Sequence, residues 1–455
     1  AVTVVVAVVG AVVVFGVNAE SGGSDSAGDA MTWDDTLYPQ EIPSIYRELT
    51  TDDVLESVIG RPKPAWTTPI TGGRPDVVGG DDKIITLRSG TFLIGLDATT
   101  GAASWPSVDL GESPMSCAVH GNRIGCVAPP GRGADSSVFI LDSGSGALLK
   151  TIKVPNQNLR RIVVAGDRLV VATEFGDGDG SGFAAGYTTE GDEVWTHEGS
   201  EDLYVVPGQH ILVDGSYSGD EVAFHDTDDG EKVLEAGRVR DERDLTWNVF
   251  RGGIAVQNED WTGADIYDLD GKKVSSVAGW EPAGYQNVYA PGSTLPVFTR
   301  IKENHYRDNL TMAVANPETG HLLWRVEGPE LTAQMVTVND KLIVKIADPD
   351  ASTGPGGTPE PTGKEFVRVH DVYSGEALSP PIDMTRDVAV ETAWLKSDGA
   401  HVVYNYIERN GGHTEVAYAI STGEKSWEIP MAGRSGYPGG AIVAATAEDA
   451  VSLYR

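Results

Sequence analysis

In this 455-residue chain, the two cysteines are the residues whose type and spacing commit most clearly to a chemistry. Cys117 and Cys126 lie in Met-Ser-Cys-Ala-Val-His-Gly-Asn-Arg-Ile-Gly-Cys, equidistant from a Gly121-Asn122 pair of the kind that closes a two-residue hairpin. Counting outward from that turn makes them a non-hydrogen-bonded cross-strand pair, the closer of the two antiparallel kinds. The spacing predicts a Cys117–Cys126 disulfide, with two free thiols as the alternative. Closing a loop of about ten residues would constrain the unfolded chain by ~2–3 kcal/mol. A disulfide also points to an oxidising compartment outside the cytoplasm. The Cys-x-x-Cys spacing of a redox-active pair is absent.

Other candidates for chemistry are weaker. Asp177-Gly-Asp-Gly-Ser-Gly182 has the opening of a calcium loop, but its twelfth position is Thr188, where an EF-hand needs a bidentate Glu. A flexible acidic loop is the plainer reading. The nine His are scattered, with no two at ligand spacing on one predicted strand, and neither HExxH nor GxSxG occurs. The sequence therefore predicts no catalytic, cofactor-binding or metal-ligating residues.

The elements that would carry these residues are short β-rich runs separated by Gly, Asp and Asn turns, beginning near Ala65. The runs repeat. An apolar strand leads into an Asp- or Thr-rich turn closed by glycine, then into a strand often opened by Trp. Leu93 to Gly101 leads to Trp105, Gly186 to Gly191 leads to Trp195, Val314 to Gly320 leads to Trp324, and Tyr418 to Gly423 leads to Trp427. Four further copies end at Gly146, Gly230, Gly271 and Gly375. Successive turn glycines are 39 to 55 residues apart, about the ~40–50 residues of a four-stranded propeller blade. Each turn needs glycine for a positive-φ position, and the preceding Asp or Thr can bond the backbone locally. A second hairpin precedes the first, as at Asp81-Asp82-Lys83-Ile84, Gly121-Asn122-Arg123-Ile124, Gly166-Asp167-Arg168-Leu169 and Asn339-Asp340-Lys341-Leu342. These turns would join the inner two strands of each blade.

This Asp/Thr-x-Thr-Gly-x-x-x-Trp pattern resembles the PQQ-like, or quinoprotein, propeller repeat, over roughly residues 65 to 455. The resemblance implies an all-β propeller of about eight four-stranded blades over residues 64–455, with each Trp packing blade against blade. The ends exceed that count. Ala65 to Ile70 reads as an outer strand and Ala441 to Arg455 as two inner strands, which makes one segment an insertion or leaves the chain short of its native end. Alcohol-oxidising quinoproteins carry an adjacent Cys-Cys pair beside the cofactor. This chain has none, so the expectation is no PQQ and no enzyme activity. Relatives by fold that lack the cofactor use the propeller as a contact surface.

Residues 1–17 (AVTVVVAVVGAVVVFGV) are uncharged and almost wholly apolar, which predicts one N-terminal transmembrane helix over 1–19. The alternative is a cleaved signal segment, given Val17-Asn18-Ala19. Residues 20–63 read as a linker and stalk, and 348–364 as a Pro/Gly/Thr-rich insertion. After the apolar segment Glu20, Asp25 and Asp29 come well before Arg47, which orients the N-terminus to the cytoplasm and the propeller outside. The 67 Asp+Glu against 34 Lys+Arg give a formal charge of -33, which opposes nucleic-acid binding. The expected function is a non-catalytic interaction or scaffold subunit of a cell-envelope membrane complex, with membrane or envelope proteins as partners and room for a small ligand at a propeller face. A sensor ectodomain is the first alternative, and a PQQ-dependent dehydrogenase the second.

Overall fold

The computed structural model describes residues 63–454 apart from 71–74, 131–134, 174–181, 200–202, 207–209, 216–220, 238–244, 261, 284–293, 302–309, 328–330, 339, 347–363, 365, 386–388, 409–412, 432–434, 437–441 and 448–449. The described residues form nine four-stranded antiparallel sheets, each one blade of a β-propeller. Blades 1 to 8 are simple meanders over residues 76–109, 116–154, 161–199, 203–237, 247–278, 281–327, 331–383 and 389–431. Blade 9 takes three strands from 435–454 and its fourth, Pro64–Pro69, from the other end of the propeller. First strands of blades 1, 2 and 3 touch in succession, so the first strand of a blade is the inner one.

Nine blades correct the sequence count of eight. Each of the eight repeat glycines sits in the turn between a third and a fourth strand. In blade 9 the third strand, Ala450–Tyr454, pairs with Pro64–Pro69 from the opposite end, so no turn joins them. A count of turns therefore misses one blade, and the surplus strands at the two ends are that blade. Pairing them joins the two ends of the propeller within one sheet. The expected helix over 1–19 lies outside the described residues, as do 20–62. Among the described residues no helix is long and apolar enough to cross a membrane.

The buried side chains fall into nine clusters, one at each junction of neighbouring blades, and the ring closes through Leu87 and Leu96 of blade 1 against Val443, Val451 and Leu453 of blade 9. Third strands feed the seams on both faces, as in Ser136–Asp142, buried at all but its last residue, whereas the outer Leu148–Val154 runs half exposed. Period-two alternation is accordingly plain only in outer strands.

The repeat motif has a physical basis in these seams. All eight repeat glycines have φ between 70° and 80°, where a Cβ is strained. Several are also covered by the Trp of the preceding blade. A Cβ on Gly146 would stand 2.5 Å from the Trp105 ring, one on Gly230 2.8 Å from Trp195, and one on Gly375 2.5 Å from Trp324. The indole N–H then donates to a carbonyl in the same turn: Trp105 to Ser143 (3.0 Å), Trp195 to Thr227 (2.9 Å) and Trp324 to Val372 (2.8 Å). Blade 5 has Ser275 at the Trp position, and its hydroxyl makes the corresponding bond, to Pro317 O at 2.7 Å. Turn aspartates brace the loop from within. Asp142 Oδ1 accepts from the Ser145 N–H and hydroxyl, and the hydroxyl bond is the main cause that holds its carboxyl below the usual range.

Candidate functional site

Cys117 and Cys126 are joined by a disulfide with Cα atoms 4.1 Å apart, directly paired between the first two strands of blade 2. Both side chains are buried in the seam with blade 1. The bond is therefore a structural staple of the inner hairpin, out of reach of a substrate. The acidic loop opening at Asp177 lies outside the described residues apart from Gly182, and the 348–364 insertion lies outside them apart from Lys364. Lys364 sets its ammonium 5.9 Å from the centre of the Phe366 ring.

The seam between blades 3 and 4 brings together three residues that nothing in their spacing groups. His197 lies on the outer strand of blade 3, Glu193–Gly199. Asp214 ends the second strand of blade 4, Ile211–Asp214, and His225 lies on its third strand, Glu221–Asp226. Strand alternation dictates the meeting. Trp195 and His197 share the face turned to blade 4, while Leu212, Asp214 and His225 share the face turned to blade 3. The apolar cluster of this seam includes Ala165, Ala172, Ala184, Leu203 and Val205. Gly199 makes room for the acid, because a Cβ there would collide with the Asp214 carboxylate.

His197 Nε2 stands 2.7 Å from Asp214 Oδ2, and the two imidazole rings are 4.2 Å apart between centres. One nitrogen from each ring and a carboxylate oxygen all lie within 4.8 Å of one another, the one such grouping of three His, Cys, Asp or Glu among the described residues. His225 is 6% exposed. Its Nδ1 lies 3.2 Å from the Gly230 carbonyl, an acceptor only, so Nδ1 carries the proton and Nε2 the lone pair. That Nε2 is buried and has no hydrogen-bond partner among the described residues. Burial, then the nearby His197, push the His225 pKa down, which keeps the ring neutral. The His197 and Asp214 side chains keep 19% and 16% exposure, so solvent reaches the rim.

Sequence spacing could not reveal this group, because its members sit on three strands of two blades and 28 positions separate the histidines. The repeat register carries a usable signal after the fact. His225 and His370 both stand five residues before a turn glycine, and His370 Nδ1 likewise meets the Gly375 carbonyl, at 3.1 Å. The partners differ. Leu212 pairs with His225 and Leu342 with His370, so Val344 is the counterpart of Asp214, and Val326 holds the place of His197 after its own turn glycine.

A model of the conjugation-associated 9-bladed beta-propeller domain matches residues 78–437. No curated protein matches the chain. Among solved structures it is similar to BamB from Moraxella catarrhalis (13% identity over 87% of this chain and 97% of that one, TM-score 0.37). It is also similar to the quinohemoprotein alcohol dehydrogenase ADHIIG from Pseudomonas putida HK5 (13%, 88% and 78%, TM-score 0.45) and to a europium-containing methanol dehydrogenase (14%, 90% and 87%, TM-score 0.40). These likenesses concern the fold and carry nothing about function. The family match is to the nine-bladed domain, whereas the repeat motif by itself resembled the PQQ-like type.

Proposed function

The chain belongs to the conjugation-associated nine-bladed β-propeller family, and from that premise we propose that it is a non-catalytic scaffold subunit of a cell-envelope complex used in conjugation. The single observation that supports this most is the family match over residues 78–437, which spans blades 1 to 8 and enters blade 9. A ring of nine rigid blades offers loops on two faces at fixed spacing, which suits a subunit that positions other proteins. The proposed partners are membrane or envelope proteins, and the charge of -33 argues against direct contact with the transferred nucleic acid. We place the propeller outside the cytoplasm. The buried Cys117–Cys126 disulfide favours an oxidising compartment, and the uncharged, apolar residues 1–17 would hold the chain at the membrane.

The test is to solubilise membranes of conjugating cells in mild detergent, capture the tagged chain after cross-linking, and identify what comes with it by mass spectrometry. A stoichiometric integral-membrane or envelope partner, cross-linked to propeller loops, is the expected result. Recovery of the chain alone would refute a stable scaffold role.

A further inference from the structure

We infer that His197, Asp214 and His225 form a binding site for a divalent transition metal, zinc by ligand chemistry, that clamps blade 3 to blade 4. Two imidazoles and one carboxylate are the ligand set of a four-coordinate zinc site whose last position is filled by water. Hard cations such as Ca²⁺ and Mg²⁺ prefer an all-oxygen shell, which two imidazole ligands do not provide.

Three observations on this seam carry the inference. First, the buried His225 Nε2 holds an unused lone pair, in a tautomer fixed by its Nδ1–H bond to Gly230 O. A second-group hydrogen bond of this kind is what orients and fixes a ligating His. Second, the three ligand atoms are already close. Metal bonds of about 2.0–2.2 Å place tetrahedral ligands roughly 3.3 Å apart, between the 2.7 Å of the His197–Asp214 contact and the 4.8 Å that bounds the group. An ion would separate the first pair slightly and draw His225 toward them. A neutral His197 would release its Nε2 to the ion by carrying its proton on Nδ1, so the step needs no other reactant. Third, Asp214 lies mostly buried beside the apolar cluster of this seam, in space that a Cβ on residue 199 would contest. The blade 6–7 seam supplies an internal comparison, since His370 makes the same carbonyl contact but faces Val326 and Val344 in the equivalent places.

The test uses the full chain without a histidine tag, stripped with a chelator and titrated with Co²⁺, whose four-coordinate complexes absorb in the visible. One Co²⁺ per chain, with absorption bleached by Zn²⁺, is expected. Asp214→Asn and His225→Gln should each weaken binding by at least about tenfold, whereas His370→Gln should leave it unchanged. Because His225 is buried, His197→Ala at the partly exposed rim supplies a second variant, with circular dichroism in chelator showing that it is folded. The inference is overturned if the wild-type chain shows no four-coordinate absorption, if folded His197→Ala binds as the wild type does, or if His370→Gln loses the ion equally. None of these outcomes bears on the scaffold reading, which is tested by its partners.

Discussion

At the scale of the residue, the repeat is a contact between one blade's Trp and the next blade's turn glycine. Trp324 fills the blade 6–7 seam, donates to Val372 O at 2.8 Å, and lies over Gly375, whose φ is 71°. Trp324→Ala should cost about 3–5 kcal/mol, from lost burial and a cavity. Gly375→Ala should also destabilise, through positive φ and through collision with the indole. In the double variant the collision disappears, so the two losses should sum to more than the double variant's loss in urea unfolding. Strict additivity would show that ring and glycine are not in contact. The same seam gives a pH dependence. Burial, chiefly, and Arg368 lower the His370 pKa from its ordinary 6.5, against the opposing Gly375 carbonyl. The native state therefore resists protonation that the unfolded chain accepts. The stabilising difference is intact above about pH 6.5 and is lost as pH falls through the lowered native value. His370→Gln should flatten the fall in stability as pH drops below about 6.5, measured by urea midpoints. An unchanged slope would remove His370 as its source. The Trp and Gly positions and the disulfide were legible in the sequence because each is fixed by local spacing. The His197, Asp214 and His225 group was not, because only the packing of two blades creates it.

At the scale of the element, closure decides the architecture. Pro64–Pro69 completes blade 9 by pairing with Ala450–Tyr454, and it also reaches forward to blade 1. The Trp66 indole donates to Ala98 O at 3.1 Å, and the Thr68 hydroxyl to Gly101 O at 2.6 Å. Trp66 thus repeats the contact made elsewhere by Trp105, Trp195 and Trp324. The sequence showed both end segments as strands, yet their union was hidden because pairing across nearly the whole chain leaves no turn signature. Trp427 marks the same point from the other side. It faces the one blade without a third-to-fourth turn, and its indole N–H has no partner among the described residues. Trp66→Ala should therefore loosen closure locally: amide exchange should rise across Ala450–Tyr454 while Gly253–Gln257 of blade 5, across the ring, stays protected. Equal acceleration in both strands would mean that closure is no weaker than any other seam.

At the scale of the whole molecule, nine separate seams take the place of one central core, and each blade is held by its two neighbours. Such a ring can vary its surface loops without disturbing the seams, which suits the proposed positioning role. The family match covers the nine-bladed domain, and the net charge of -33 and the disulfide support the proposed partners and compartment. The most direct measurement is the frequency of DNA transfer from donor cells in which the gene is deleted, then restored with the wild-type chain. A fall of several orders of magnitude on deletion, recovered on complementation, is the expected result for a scaffold that the transfer machine needs. Transfer at the wild-type frequency without the protein would contradict it.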